Sequence, residues 1–413
     1  MTDGHPSSDG DPAGAGRSVL LVHHRDLSSP IGTTLSYYLA HELAEPHEVH
    51  VVCRRQGNER SGDGPDSGAV MHDLYTGEVP LLSTVAFHLL ATLYVVVLAA
   101  THRFDVTYCF QSSTIQGWLG SRVGGSRFVV GLASVPVRQS RDFSDAADSE
   151  LSLRQRVALV LLDRYAAVVG DLLERADVVV CLTEGIRDVT AEFYGVDLSD
   201  AHVIGMGVDV ESFSQPREPG GDALTATYVG SVNEPRKLER VLEALAAVDH
   251  EVRFRIAGEG PDDYVDALAA EAERLGVADQ VEWLGLVPHE EIPDLLAAAD
   301  VALSPLPDIE SYRISFPGKL LEYMAAGAVV VASDLPAHRK LIDDRVDGFL
   351  YDGSSEQLAA VLERCAEDPA ALAEIRRRAR GTAVDHAWDL VVRRHEAAMF
   401  GAASRTDPLE SEV

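Results

Sequence analysis

The chain has 413 residues, 46% of them hydrophobic, and carries a formal net charge of -31 from 66 acidic and 35 basic residues. That length and apolar content are enough for two buried cores. The charge disfavours nucleic acid as a partner and suits a salt-rich cytoplasm, where at about 1 M ionic strength repulsion is screened within about 3 Å.

Only three of the basic residues are lysines, Lys237, Lys319 and Lys340. The four cysteines, Cys53, Cys109, Cys181 and Cys365, have neither paired nor metal-ligand spacing, so they read as small core residues. Residues 1–16 hold no basic or apolar run of a secretory signal and read as a disordered tail, as do residues 402–413.

From Ser18 onward, short apolar runs alternate with longer helical patterns, which predicts a parallel sheet with helices on both faces. SVLLVHH leads into a helix over about 33–43, and EVHVVC, VTYCF, RFVVGLA, VVVCL and HVIGM read as further strands. Between them, LLSTVAFHLLATLYVVVLAA (81–100) has no acidic residue, lysine or arginine and is long enough to span a bilayer. A strand pattern follows at once, so a buried or interface helix is the better reading. Arg122, Arg127, Arg138, Arg141, Arg154 and Arg156 follow it, either as ordinary solvated surface or as a basic rim for anionic lipid or a phosphorylated acceptor.

SQPREPGGD (214–222) reads as a linker, after which the alternation restarts with ATYVGSV, FRIAGEG, VEWLG, VALSP, AVVVAS and DGFLY. The fold class is therefore α/β, with two Rossmann-like doubly wound domains facing a cleft. A last helix, 387–401, has no strand to follow it and is expected to cross back onto the first domain.

No strand is followed by G-x-G-x-x-G, and the phosphate loop of nucleoside triphosphatases, H-E-x-x-H and G-x-S-x-G are all absent. Anion-seeking features instead gather after strands of the second domain. YVGSVNEPRKLER places Arg236 and Lys237 in the first turn of a predicted helix, with Glu234 and Glu239 as alternative ion-pair partners. FRIAGEGPDD has Gly258 and Gly260 in a tight loop where backbone can approach a ligand. FPGKLLEYMAAG opens a helix with Pro317, Gly318 and Lys319 and sets Glu322 at the edge of its apolar stripe, an arrangement suited to phosphate.

Taken in order, VIGMGVDVESF, YVGSVNEPRKLERVLEAL, FRIAGEGPDD, VEWLGLVPHEEIPDLLAAADVALSP, KLLEYMAAGAVVVAS and VDGFLYDGSSEQLAAVL resemble the family 4 retaining glycosyltransferases of the GT-B fold. The resemblance implies transfer of a sugar from a nucleotide-diphosphate donor to a glycan or lipid-linked acceptor, with no metal or other cofactor required. It implies that Glu322 grips the donor ribose, that Arg236, Lys237 and Lys319 neutralise the diphosphate, and that backbone from Ser315 through Phe316 and Pro317 to Gly318 contacts phosphate or sugar. It divides the chain into an acceptor-side domain (17–213), the linker, a nucleotide-sugar domain (223–386) and the terminal helix. Peripheral contact with the inner membrane face through 81–100 and the arginines is a further expectation.

Several positions depart from the pattern. Where a first glutamate often stands, eight residues before Glu322, there is Ile314; a branch with P-x-K-x-x-E, matched by Pro317, Lys319 and Glu322, tolerates that. Ser231 stands where a second basic residue is usual, Met206 replaces an asparagine, and ASVPVRQ lacks a histidine. No catalytic residue can be named. His23 and Gly32 are possible cleft residues, with structural histidines and an ordinary turn as the plainer readings. A non-catalytic nucleotide-sugar-binding or partner-supporting protein and a sugar-nucleotide epimerase of the same fold are the two alternatives.

Overall fold

The computed structural model describes residues 16–27, 34–55, 68–77, 80–134, 164, 167–213 and 223–401. Gly32, residues 1–15 and 402–413, the linker 214–222 and Arg138, Arg141, Arg154 and Arg156 lie outside the described residues. The chain forms two compact units, residues 1–130 with 175–178, and residues 131–174 with 179–413.

A seven-stranded sheet runs β3-β2-β1-β4-β5-β6-β7, from β1 (Ser18–Val22), β2 (Glu48–Arg55), β3 (Val70–Tyr75), β4 (Val106–Phe110), β5 (Arg127–Leu132), β6 (Val178–Cys181) and β7 (His202–Val203). A six-stranded sheet runs β10-β9-β8-β11-β12-β13, from β8 (Leu224–Val229), β9 (Val252–Ala257), β10 (Val281–Gly285), β11 (Val301–Ser304), β12 (Val329–Ser333) and β13 (Gly348–Tyr351). Every pair in the second sheet is parallel. Both follow the doubly wound order, in which the connections reverse direction beside the first strand. Strands such as VTYCF in β4 and VVVAS in β12 are buried at every residue, as parallel strands covered on both faces must be.

All twelve strand runs expected from the sequence are present. β3 is the addition: VMHDLY is half exposed at a sheet edge, so it shows no apolar run to read. The four cysteines are buried and unpaired.

The first helix, α1 (Thr34–Leu43), is followed by the apolar segment as α2 (Pro80–Thr101). Phe87, Ala91, Val95 and Leu98 of α2 are buried, whereas Leu82, Leu89 and Leu93 are each more than 60% exposed. A helix with one face packed into a globular unit lies on that unit's surface. Close packing comes from α3 (Thr114–Gly124), where a Cβ at Gly120 would lie 2.7 Å from Val95 and one at Gly124 3.2 Å from the Ala99 carbonyl oxygen.

The second unit includes the helices α4 (Glu184–Tyr194), α5 (Glu239–Ala247), α6 (Asp262–Leu275), α7 (Ile292–Ala297), α8 (Glu310–Ile314), α9 (Gly318–Ala325), α10 (Ser355–Glu367), α11 (Pro369–Val384) and α12 (Trp388–Phe400). Thr183 caps α4, accepting from the Ile186 N–H at 3.0 Å. The start of α12 is tied to the stretch before the linker: Val208 bridges Ala387, and Trp388 lies where a Cβ on Gly207 would be, 2.7 Å away.

Candidate functional site

At the carboxyl edge of the six-stranded sheet, the connections reverse between β8 and β11, the place where an open α/β sheet holds its ligand. A cavity of about 290 Å³ lies there, lined by residues 228–230 and 303–304 at the strand ends, by Arg236, by Ser311 and Tyr312 of α8, and by residues 315–320.

Two cations meet at this cavity. The Arg236 guanidinium stacks 5.3 Å from the centre of the Tyr312 ring, and no carboxylate of the described residues pairs with it. Lys319, in the first turn of α9, donates from Nζ to the Val229 carbonyl at 2.8 Å. Burial of the ammonium lowers its pKa most; Glu322 opposes that shift and Arg236 adds to it, so the two cations feel one another. Lys319 as a whole residue is exposed, while its charged end is tied to the sheet edge.

Tyr323 and Tyr228 brace this edge. The buried Tyr323 hydroxyl lies 3.2 Å from both the N–H and the carbonyl oxygen of Val229, and the Tyr228 hydroxyl donates to the Ser231 carbonyl at 2.9 Å. Burial pushes the Tyr228 phenol up to about 12. Neither tyrosine, nor Tyr312, was singled out in the sequence; the only signal was their position beside Glu322, Gly230 and the α8 loop.

The glycines expected to approach a ligand lie close against neighbouring backbone. A Cβ at Gly258 would stand 1.7 Å from the Gly230 carbonyl oxygen, and one at Gly260 1.5 Å from that of Val232. The Gly230 N–H donates to Ala257 and the Val232 N–H to Glu259, at 2.9 and 2.8 Å. Gly258 and Gly260 thus let the β8 and β9 loops stay backbone against backbone past the strand ends, which fixes the wall that carries Arg236. Neither lines the cavity.

Arg236 and Lys237 do not begin a helix. Glu234–Arg236 forms a single 3-10 turn, Lys237 adopts a left-handed conformation at φ 54, and α5 starts at Glu239. The turn sends the two side chains apart: Arg236 reaches the cavity, while Lys237 lies 3.7 Å from both Glu234 and Glu239 and does not line it.

At the opening of α9, Pro317 has no N–H and that of Gly318 is taken by the Phe316 carbonyl at 3.0 Å. The N–H groups of Ser315 and Phe316 have no acceptor among the described residues. Glu322, one turn further on, is half-buried and its carboxylate has no hydrogen-bond partner among the described residues. Burial raises its pKa, with Lys319 and His289 pulling the other way. It stands just outside the cavity wall, towards the loop after β10, where Leu286 is 71% exposed. Ile314, in the position of the expected first glutamate, packs on α4: a Cβ at Gly185 would lie 2.8 Å from its side chain.

His23 and His24 lie at the carboxyl edge of the other sheet, after β1. His23 is buried edge-on to Phe110, with ring centres 4.9 Å apart, and burial drives its pKa down to about 3. His24 hydrogen-bonds through Nδ1 to the Ser112 hydroxyl, and burial with the charges of Arg25, His88 and Arg54 lowers it to about 4.

Residues 32–212 match the family model for Glycosyltransferase Family 4, and residues 223–368 match that for Glycosyl transferases group 1. Over 241 residues the chain is 28% identical to D-inositol 3-phosphate glycosyltransferase of Xylanimonas cellulosilytica, covering 54% of this chain and 57% of the relative. It is 36% identical over 169 residues to phosphatidyl-myo-inositol mannosyltransferase of Mycobacterium tuberculosis, covering 39% and 42%. The chain thus spans about half the length of the curated relatives it matches. A crystal structure of Anabaena HepE in complex with UDP and glucose superposes with a TM-score of 0.69 at 18% identity, covering 94% of this chain and all of that one.

Proposed function

For a chain whose halves match family 4 and group 1 glycosyltransferases and whose fold is GT-B, we propose a retaining glycosyltransferase that moves a sugar from a nucleotide diphosphate to a glycan or lipid-linked acceptor. The observation that carries this reading is the convergence of Arg236 and Lys319 on a switch-point cavity, with no carboxylate of the described residues balancing Arg236, in a chain of net charge -31. Uncompensated positive charge there is matched by a diphosphate. The unpartnered Glu322 takes the ribose hydroxyls, and the exposed Leu286 side of the β10 loop takes the base. Pro317, Lys319 and Glu322 fit a P-x-K-x-x-E branch, in which Ile314 would need no carboxylate.

The diphosphate, once held, accepts the proton of the incoming hydroxyl as the sugar leaves, so the protein orients and stabilises charge without a dedicated base or a metal. Residues 17–213 serve the acceptor and 223–386 the donor, with the terminal helix returning to the first of these. The apolar outer stripe of α2, with Arg103 and Arg122 exposed near its carboxyl end, faces the membrane that would carry a lipid-linked acceptor; HepE's bound UDP and the phosphatidyl-inositol in the relative's name favour these partners.

A second reading, a binding protein without turnover, draws on the apolar packing of Ile314 against Gly185. Thermal unfolding with uridine, guanosine and adenosine diphosphates and their sugars tests the donor site. One nucleotide should stabilise the wild type, by about 2.7 kcal/mol at 100 times its dissociation constant, and Glu322→Gln should lose most of that gain. No stabilisation by any nucleotide sinks the donor reading. Binding without release of nucleotide in the presence of acceptors selects the second reading.

A further inference from the structure

A second cavity, of about 280 Å³, lies on the helical side of the second unit, between the loop before β13 and helices α10 and α11. It shares no lining residue with the switch-point cavity. Its floor is apolar, made by Phe349, Leu372 and Ile375, all buried. Its rim carries three arginines, Arg345, Arg364 and Arg378.

The carboxylates at this rim are already engaged. Asp368 accepts from the Ala371 N–H at 3.0 Å as the cap of α11. Glu374 is held by two hydrogen bonds from Arg377 and one from Arg378, which depress its pKa to about 2. Arg364 has no carboxylate partner among the described residues, and its guanidinium stands 6.0 Å above the Phe349 ring. Among the described residues Arg345 reaches only Asp344, at 3.5 Å, and that carboxylate also takes the Leu350 N–H at 2.9 Å.

Arg345 also holds a backbone conformation that disfavours it. Its φ is 64, a left-handed value at which glycine is free and a β-carbon is strained. Its N–H bonds to the Gly348 carbonyl at 2.7 Å, which locks the turn and leaves the guanidinium at the cavity rim.

We propose that this cavity is a second ligand site, for a small phosphate monoester that bears an apolar or aromatic group. Terminal phosphate oxygens suit the guanidinium forks of Arg345 and Arg364, and the apolar group lies on Phe349, Leu372 and Ile375. The volume sits at the lower end of small-molecule sites, which limits the ligand to about one ring and its phosphate. The proposal stands apart from sugar transfer, because it uses none of the residues assigned to the donor.

Titration calorimetry of the full chain with phenyl phosphate tests it, at fixed ionic strength and with inorganic phosphate and phenol as the separate halves. Saturable binding of phenyl phosphate, tighter than of either half, is the expected result. Arg364→Ala and Arg345→Gly should each weaken it by about tenfold, the loss of a charge-assisted contact, and Arg236→Ala should leave it unchanged. Arg345→Gly relieves the left-handed strain, so its melting temperature should stay at or above the wild-type value and exclude unfolding as the cause. Absence of saturable binding overturns the proposal. So does binding that Arg364→Ala leaves unchanged, or that disappears with Arg236→Ala and therefore belongs to the switch-point cavity.

Discussion

The carboxyl edges of the two sheets share a strand order and differ in their charge. Beyond β8 and β11 stand the basic side chains of Arg236 and Lys319; beyond β1 and β4 stand His23 and His24, imidazoles whose pKa burial lowers to about 3 and about 4. One doubly wound plan therefore carries different chemistry in the few residues after its strands, basic side chains on one sheet and buried neutral imidazoles on the other.

Removing the charge from the first edge should break this contrast most severely. Arg236→Ala deletes a guanidinium that pairs with no carboxylate among the described residues, so its loss should be felt by the ligand rather than by the fold. Hydrogen bonds to charged groups contribute about 1.5 to 3 kcal/mol, so the affinity for a nucleoside diphosphate should fall by roughly 10- to 100-fold, while the ligand-free melting temperature barely moves. Titration calorimetry of wild type and variant checks both parts. An unchanged affinity would mean that the diphosphate does not sit at Arg236.

The neutral edge can be tested by acid. Folded His23 and His24 bind protons less tightly than unfolded histidine, whose pKa is about 6.5. The stability they contribute is therefore complete above about pH 6.5 and drains away as pH falls towards their folded values of about 4 and about 3. Chemical denaturation from pH 8 to 4 should show the wild type weakening, and His23→Gln weakening less over the same range. The buried His395, also held down to about 3, contributes to the loss in both proteins, so the difference between them reports His23. Parallel curves would show that His23 does not titrate this way.

How legible these edges were differs for physical reasons. Fully buried parallel strands are continuous apolar runs, so β1, β4, β11 and β12 could be read directly, whereas edge strand β3 mixes Met71, His72 and Asp73 and left no periodicity. Lys319 and Glu322 were legible because a helix start after proline has a local chemistry. Tyr228, Tyr312 and Tyr323 were not, because their roles depend on strands and helices far apart in sequence meeting at Val229 and Arg236. Gly258 and Gly260 were visible as special, but their purpose lies in a carbonyl oxygen more than twenty residues away, on the neighbouring strand loop.

Lys237 supplies the finest test, since it neighbours Arg236 in sequence but lies against Glu234 and Glu239 instead of lining the cavity. Lys237→Gly removes two long contacts, to Glu234 and Glu239 at 3.7 Å, of the partly exposed kind that contribute about 0 to 1 kcal/mol. It also relieves a left-handed conformation that costs an L-residue about 1 to 2 kcal/mol, against about 0.5 to 1 kcal/mol of added chain entropy for glycine. These terms nearly cancel, so the melting temperature should hold, and nucleotide affinity should hold with it because Lys237 does not line the cavity. If Lys237→Gly weakened the nucleotide as much as Arg236→Ala, the general positive potential of the turn, and not the aim of one guanidinium, would be what the first edge provides.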